Sequence, residues 1–274
     1  MKTLPGRPAV IATALLLVVA VAAPASAITN GTPDGDGHPY VGVVVFWNAE
    51  RGFWSCSGSL IAPRVVLTAG HCTDGALMAG ATFEEHVSVG APLNWGSPYT
   101  HPDHGESPYA GSGLPAYGFR DIGVVVLDDA PSVSRTAQLP TSGLVNTLEN
   151  KSAIDYVGYG VKRQLKNVPG KYTPPPPPPP RWRWTDPFDR MVALSELVSR
   201  DFRQSDDYLR LSQNPSHGKG GGCFGDSGGP NLQGGTDIVL GVTSFGTNVN
   251  CDGVGYSSRV DTPEVLDWID GFMP

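Results

Sequence analysis

Charge, cysteine and long apolar runs are all scarce in this sequence of 274 residues. Charged residues make up 16% of the chain, the formal net charge is −7, and Lys and Arg form no cluster. Because proteins that bind nucleic acid carry basic patches, we exclude nucleic acid as a partner. After residue 27 no segment is apolar enough to cross a bilayer, which takes about 20 residues, so we expect no stable membrane anchor.

The sequence has only 4 cysteines, and they form no Cys-x-x-Cys pair. Structural zinc sites need such closely spaced ligands, and only Cys72 has a histidine beside it, so we expect no metal site. No organic cofactor is indicated either. In an exported chain the cysteines should be oxidised, but their spacing leaves all three possible pairings open.

The N-terminus is typical of a secretory signal. Lys2 and Arg7 give a basic start, Ala9 to Ala23 is almost entirely apolar, and Ala25-Ser26-Ala27 is a cleavage site of small residues. The alternative is a membrane anchor, for which the apolar stretch is short. We therefore expect residues 1–27 to be a cleaved signal peptide and the protein to be secreted and extracellular.

Glycine and proline are abundant, with 35 and 26 residues, which suits short strands joined by tight turns. Runs rich in Val and Ile predict antiparallel strands at Val41–Trp47, Ser59–Ile61, Val65–Thr68, Ile122–Leu127, Ala153–Val157 and Val239–Ser244. The clearest helix is the last one. Thr262 is placed to cap it, Pro263 suits its first turn, and apolar residues follow at helical spacing.

Seven consecutive prolines, Pro174–Pro180, are followed by Arg181-Trp182-Arg183-Trp184. Proline cannot join a sheet ladder, so this run predicts a polyproline II rod. It is either a docking site for a partner or an exposed loop insertion. We favour the insertion, because surface loops tolerate added length at little cost.

The strongest chemical signal is Gly225-Asp226-Ser227-Gly228-Gly229-Pro230. A serine hydroxyl becomes a good nucleophile only when a base takes its proton, and flanking glycines let backbone N–H groups point at a developing oxyanion. The pattern also fits the nucleophile elbow of α/β-hydrolases, but that fold places its histidine after the serine. Here every histidine precedes Ser227, which excludes the elbow; they are His38, His71, His86, His101, His104 and His217.

His71 is the best candidate for the base, because it follows a hydrophobic strand and adjoins Cys72. His217 lies in a glycine-rich stretch and is weaker, and the other four lie in polar loops, where a lone histidine is usually on the surface. Asp121 opens the apolar strand that runs to Leu127, so its carboxylate needs a hydrogen-bonding partner. It is either the group that orients the histidine or a strand-end cap.

Together, Thr68-Ala69-Gly70-His71-Cys72, Asp121-Ile122 and Gly225–Pro230 resemble the chymotrypsin/trypsin family of serine peptidases, in the order His, Asp, Ser. The resemblance implies an all-β fold of two antiparallel six-stranded β-barrels with a C-terminal α-helix. We expect the barrels at residues 28–140 and 141–260, with the proline insertion in the second, and the helix within 261–274.

The same resemblance implies the catalytic roles. Ser227 would attack the scissile carbonyl, His71 would take and return the proton, and Asp121 would fix the imidazole tautomer. The N–H groups of Gly225 and Ser227 would form the oxyanion hole. It also implies disulfides Cys56–Cys72 and Cys223–Cys251, and a monomer that acts on protein or peptide substrates.

Maturation and specificity are implied less directly. Signal cleavage would expose Ile28, whose ammonium we expect to pair with Asp226 without a separate activation step. Gly221, Gly246 and Gly255 match pocket positions, and Ser244-Phe245-Gly246 matches the strand that pairs with substrate. An open, uncharged pocket favours a large apolar or aromatic residue before the cut. The alternative is Asp252 reaching the pocket and favouring Lys or Arg.

Two other function classes remain open. One is a catalytically silent family member that acts as a binding or adhesion module through the proline, arginine and tryptophan insertion. The other is an esterase on the same scaffold. Reaction of Ser227 with a fluorophosphonate and cleavage of protein substrates distinguish these alternatives from a peptidase.

Overall fold

The computed structural model describes residues 28–105, 119–160, 163–164, 182–183, 188–199, 207–247 and 251–274. The predicted signal peptide and the seven prolines lie outside these residues. The described strands are β1 (Thr32–Pro33), β2 (Val41–Asn48), β3 (Gly52–Ala62), β4 (Val65–Thr68), β5 (Met78–Thr82), β6 (His86–Val87), β7 (Asn94–Thr100), β8 (Gly123–Leu127), β9 (Ala153–Gly158), β10 (Arg163–Gln164), β11 (Trp182–Arg183), β12 (Phe188–Asp189), β13 (Met191–Ser199), β14 (Tyr208–Gln213), β15 (Pro230–Gln233), β16 (Val239–Gly246) and β17 (Gly253–Arg259). The described helices are α1 (Gly70–Thr73) and α2 (Pro263–Asp270), with 3-10 turns at Leu144–Thr147 and Pro215–His217.

The strands close into two antiparallel barrels, which confirms the predicted fold class. The first barrel follows the order β2-β3-β4-β8-β7-β5, and alternating apolar residues such as Val44, Val66 and Val124 fill it. The second follows β13-β14-β17-β16-β15-β9 and closes where β13 pairs with β9. Strand β1 adds to β13, so the start of the described chain is attached to the second barrel.

Helix α2 packs its apolar face on the barrels through Val265 and Ile269, both buried. It begins after Thr262 as predicted, but the capping prediction is wrong. The Thr262 hydroxyl makes no cap hydrogen bond and instead accepts one from Arg120 at 3.1 Å. In the described part of the chain no helix is long and apolar enough to cross a membrane.

A buried arginine joins the two barrels, because it pairs with Asp34 beside β1 and also donates to carbonyl groups of the first barrel. The Arg190 Nε lies 2.8 Å from the Asp34 carboxylate, and the two side chains are 2% and 1% exposed. The same guanidinium donates to carbonyl oxygens of Gly35, Val41 and Phe83. A buried charge with this many acceptors is satisfied only as long as all of them stay in place.

We expect Arg190→Met to destabilise the fold by about 3–5 kcal/mol, because it takes the guanidinium away from the buried Asp34 carboxylate, which keeps its contact with the His38 ring, and leaves the buried carbonyl oxygens of Val41 and Phe83 without this donor. The measurement is the free energy of unfolding in urea. Lys219→Met is the matched control. It removes a 3.2 Å pair with Glu196 in which both side chains are 25% exposed, and it should cost less than about 1 kcal/mol. Equal losses for the two variants would contradict the assignment.

Candidate active site between the barrels

Asp121 joins the two barrels at the site. It lies just before β8 and is fully buried. Its carboxylate accepts from the His71 N–H at 2.6 Å, contacts His71 Nδ1 at 2.8 Å, and accepts from the Ser244 hydroxyl at 2.5 Å. Because Ser244 belongs to β16, one carboxylate is held by groups from both barrels. These three donors satisfy the buried carboxylate, and one of them is the imidazole of His71. Asp121 therefore does more than cap the end of a strand.

His71 sits in the short helix α1 directly after β4. The disulfide between Cys56 and Cys72 ties this turn to β3, and the His71 side chain is 27% exposed, which leaves part of the imidazole open to solvent. Burial alone would lower the pKa of His71, but the charge and hydrogen bond of Asp121 outweigh it and raise that pKa. The imidazole is therefore a stronger base than an isolated histidine.

Burial works in the opposite direction on Asp121 and would raise the pKa of its carboxyl group. The charge and hydrogen bond of His71, the Ser244 hydroxyl and the His71 N–H outweigh burial and lower the pKa of Asp121. Asp121 therefore stays ionised at neutral pH, in the state that orients an imidazole.

The turn that carries Ser227 is held from both sides. From the first barrel, the Ser57 N–H donates to the Ser227 carbonyl at 2.8 Å and the Ser57 hydroxyl donates to the Gly225 carbonyl at 2.9 Å. From the second, the Gly228 N–H donates to Thr243 at 2.8 Å. A Cβ at Gly228, where φ is +77°, would lie 2.7 Å from the Ala69 nitrogen. The serine turn thus packs on the residues that lead directly into His71.

The turn at Ser227 offers two backbone donors, the N–H groups of Gly225 and of Ser227 itself. The Ser227 side chain is half-buried. Gly225 has a φ of +96°, which favours glycine, and the turn is closed by the Asp226 N–H on Cys223. Among the hydrogen bonds of the described residues, neither the Gly225 N–H nor the Ser227 N–H donates to a protein acceptor. Both are the donors that the sequence predicts for an oxyanion hole.

Ile28 and Asp226 lie at one end of the second barrel. Ile28 is fully buried, and Thr29 exchanges two backbone hydrogen bonds with Gly221. The Asp226 carboxylate is also buried and accepts from Cys223 and Gly160. Burial raises the pKa of Asp226 to about 7, although these two N–H groups act to lower it. Among the described residues, no cation pairs with this buried carboxyl group just before Ser227.

The predicted pocket glycines lie together, but the room beside them is partly filled. Gly246 pairs with Gly255 across β16 and β17, and the Phe245 ring stacks on Tyr256 with centroids 4.8 Å apart. A Cβ at Gly221 or at Gly255 would come within 2.6 Å of atoms of Gln213. The Gln213 side chain of β14 therefore lies against both glycines, and the expectation of a pocket that takes a large side chain stays a prediction. Asp252 is exposed.

Two histidines interpreted as surface residues are buried. His101 packs against Trp268, and burial lowers its pKa. The His104 side chain is 8% exposed, and its Nδ1 lies 3.8 Å from the Asp121 carboxylate without a hydrogen-bond partner in the described structure. Gly70 makes this approach possible, because a Cβ there would lie 2.8 Å from His104 Nδ1.

The described residues contain one cluster with the spacing of metal ligands, formed by Cys56, His71 and Cys72. Its two sulfurs are bonded to each other, so they are not thiolate ligands. The second implied disulfide, Cys223–Cys251, is also present. Both pairings implied by the resemblance are therefore confirmed.

Comparison with known proteins agrees with this geometry. The protein-family profile described as Trypsin matches residues 29–172 and 194–269. "Serine protease 1" of Drosophila melanogaster is 30% identical over 248 residues, covering 88% of this chain and 84% of that protein. Human "Chymotrypsin-like elastase family member 3A" is 28% identical over 239 residues, with 80% and 78% covered.

Solved structures show the same fold at lower identity. The structure titled "HL collagenase" has a TM-score of 0.64 at 19% identity and covers 89% of this chain and 97% of its own. "Human heparin binding protein" has a TM-score of 0.59 at 19% identity, with 89% and 96% covered. At this identity the likeness concerns the fold alone.

We expect the His71 imidazole to titrate above the usual value of about 6.5 in the native protein, and below it in Asp121→Asn. The substitution removes the charge that raises the pKa and keeps the burial that lowers it. An NMR titration of the imidazole signals measures both values. Asp252→Asn, an exposed position, should leave the titration unchanged, and a His71 pKa that is the same in native and Asp121→Asn protein would contradict the assigned pair.

Proposed function

Because the chain belongs to the trypsin family of serine proteases and is a serine endopeptidase, we propose that it cleaves peptide bonds through an acyl-enzyme on Ser227. The observation that carries this proposal is the Asp121 carboxylate, held by His71 from one barrel and Ser244 from the other. The Ser227 turn packs on the residues just before His71, which supports proton transfer between the two side chains.

In this mechanism Ser227 Oγ attacks the carbonyl carbon while His71 Nε2 takes the hydroxyl proton. The oxyanion of the tetrahedral intermediate accepts hydrogen bonds from the Gly225 and Ser227 N–H groups. His71 then gives its proton to the leaving amine, and the C–N bond breaks. Water repeats the sequence on the ester and frees Ser227. Asp121 stays ionised throughout and holds the imidazole in the tautomer with Nδ1 protonated.

We propose further that residues 28–140 and 141–260 form the two barrel domains and that the chain is secreted without residues 1–27. The two disulfides support an oxidising destination. The exposed position of Asp252 supports an uncharged pocket, and hence a large apolar or aromatic residue before the cut, over a preference for Lys or Arg.

Ser227→Ala should abolish labelling by a fluorophosphonate and lower kcat/KM for peptide cleavage by at least about 10³-fold, because no other group replaces the nucleophile. Intact mass after labelling and a peptide assay measure the two effects. Ser55→Ala, a serine of β3 outside the site, is the control and should behave as the native protein. A native protein that folds but is not labelled would favour the silent binding module, and labelling without cleavage of any protein would favour an esterase.

The activation proposal rests on the position of residue 28. Its neighbour Thr29 pairs with Gly221, and the chain from Gly221 to Cys223 leads to the N–H that donates to Asp226. A free Ile28 ammonium would supply the cation that the buried Asp226 carboxylate lacks. Pairing would lower the pKa of Asp226 and raise the pKa of the amine above its reference of about 8.

A protein with one alanine added before Ile28 should be nearly inactive, since the added residue displaces the ammonium from Asp226. In the native N-terminal form, activity should fade as pH rises through the raised amine pKa, because deprotonation removes the cation. Rates of peptide cleavage at pH 7 to 11 measure both effects. Full activity of the extended protein would exclude the pair, whereas an Ile28→Val N-terminus should keep activity.

Stability gives an independent test. In the extended protein the folded-state pKa of Asp226 is about 7, above its unfolded value, so its stabilising contribution is complete at low pH and is lost as pH rises through 7. Between pH 5 and pH 8 the free energy of unfolding should fall by roughly 2–3 kcal/mol. The mature protein, with Asp226 paired, should show no such fall. Asp226→Asn in the extended protein should remove the pH dependence.

A further inference from the structure

We infer that Gln213 forms the inner end of the specificity pocket and selects, before the cut, a side chain that ends in an uncharged hydrogen-bond donor, tyrosine above phenylalanine. This inference rests on the proposed function, since it concerns the pocket beside Ser227. Gln213 is the last residue of β14, a strand that the sequence pattern did not associate with the pocket. Its chemistry is that of a neutral amide.

Gln213 lies between the two glycines that the sequence places in the pocket. A Cβ at Gly221 would lie 2.4 Å from Gln213 Cγ, and a Cβ at Gly255 would lie 2.5 Å from its Nε2. Side chains at positions 221 and 255 would thus occupy the volume that the amide occupies. Position 213, and not position 221 or 255, therefore supplies the polar group at this place in the pocket.

The Nε2 atom of the Gln213 amide has a hydrogen-bond acceptor, whereas its Oε1 atom has no donor among the described residues. Its Nε2 donates to the Gly222 carbonyl at 3.1 Å, which fixes the orientation of the group. Gln213 is 2% exposed, and its Oε1 has no hydrogen-bond partner in the described structure. A buried acceptor without a donor is unfavourable, so a substrate side chain that brings a donor to Oε1 relieves this cost.

The position is continuous with the proposed catalytic site. Gly222, which accepts from Gln213, precedes Cys223, and Cys223 donates to Asp226 next to Ser227. On the other side Gly255 pairs with Gly246 at the end of the strand expected to bind substrate. We expect a side chain that enters beside Ser227 and passes Gly246 to end at the Gln213 amide.

The surroundings favour a neutral donor over an ammonium or guanidinium. The Tyr156 hydroxyl and the Ser257 hydroxyl, 3.5 Å apart, lie beside Gly255 and Gln213, and burial raises the pKa of Tyr156 to about 12, so it stays neutral. The buried Asp226 carboxylate, next to Ser227, accepts from the N–H groups of Gly160 and Cys223. One amide oxygen does not compensate a desolvated cation, but it fully pairs a phenol O–H.

The test measures kcat/KM for peptides that differ only in the residue before the cut, with tyrosine, phenylalanine or lysine there, using mature enzyme titrated with a fluorophosphonate. We expect native enzyme to favour tyrosine over phenylalanine about tenfold or more. Gln213→Leu should bring this ratio to one or below, because the acceptor is lost. Gln213→Glu should raise cleavage after lysine about tenfold or more, since the carboxylate supplies the missing charge.

Gln138→Leu, an exposed glutamine, is the matched control and should keep the native ratio. A native tyrosine-to-phenylalanine ratio of one or below overturns the inference without any variant, so variants that fail to fold do not weaken the test. A preference that Gln213→Leu leaves unchanged also overturns it. Absence of both labelling and cleavage in the native protein would instead overturn the proposed function itself.

Discussion

The site depends on one buried carboxylate. Asp121 is fully enclosed, and a carboxylate in that position is stable only when its oxygens accept hydrogen bonds. Its donors are the His71 backbone and ring on the first barrel and the Ser244 hydroxyl on the second. Because the Asp121 carboxylate takes its hydrogen bonds from both barrels, it also aligns His71 with the barrel that carries Ser227. The same carboxylate therefore contributes both to docking the barrels and to orienting the imidazole.

The sequence predicted well the parts of the fold that rest on local pattern. The Val-rich runs at 41–47, 65–68 and 122–127 are strands, because alternating β-branched residues suit barrel walls. The last helix begins at Pro263 as expected. The barrel architecture, the triad residues and both disulfide pairings came from the resemblance, since neither spacing nor composition brings residues 71, 121 and 227 together.

The remaining features depend on contacts that local pattern does not encode. Strand β7 contains Gly96 and Pro98, which normally argue against a strand, yet it pairs with β8 from Gly96 to Thr100. His104 was interpreted as a surface residue because its neighbours are polar, whereas the absence of a side chain at Gly70 lets it approach Asp121. The amide of Gln213 reaches the pocket through a strand pairing, Gln213 with Gly253, that only the assembled barrel defines.

The hydrogen bonds between Ser57 and the Ser227 turn limit when activity can arise during synthesis of the chain. The Ser57 N–H and hydroxyl donate to the carbonyl oxygens of Ser227 and Gly225, and the hydroxyl also accepts from the Tyr159 N–H. A residue that is translated early therefore holds a turn that is translated late. In the proposed mechanism, an incomplete polypeptide that ends before residue 227 contains the proposed base and its carboxylate but lacks the nucleophile. Hydrolytic capacity therefore cannot accumulate gradually as the ribosome proceeds. Activity requires that nearly the whole polypeptide has been translated and that the Ser227 turn has packed on Ser57.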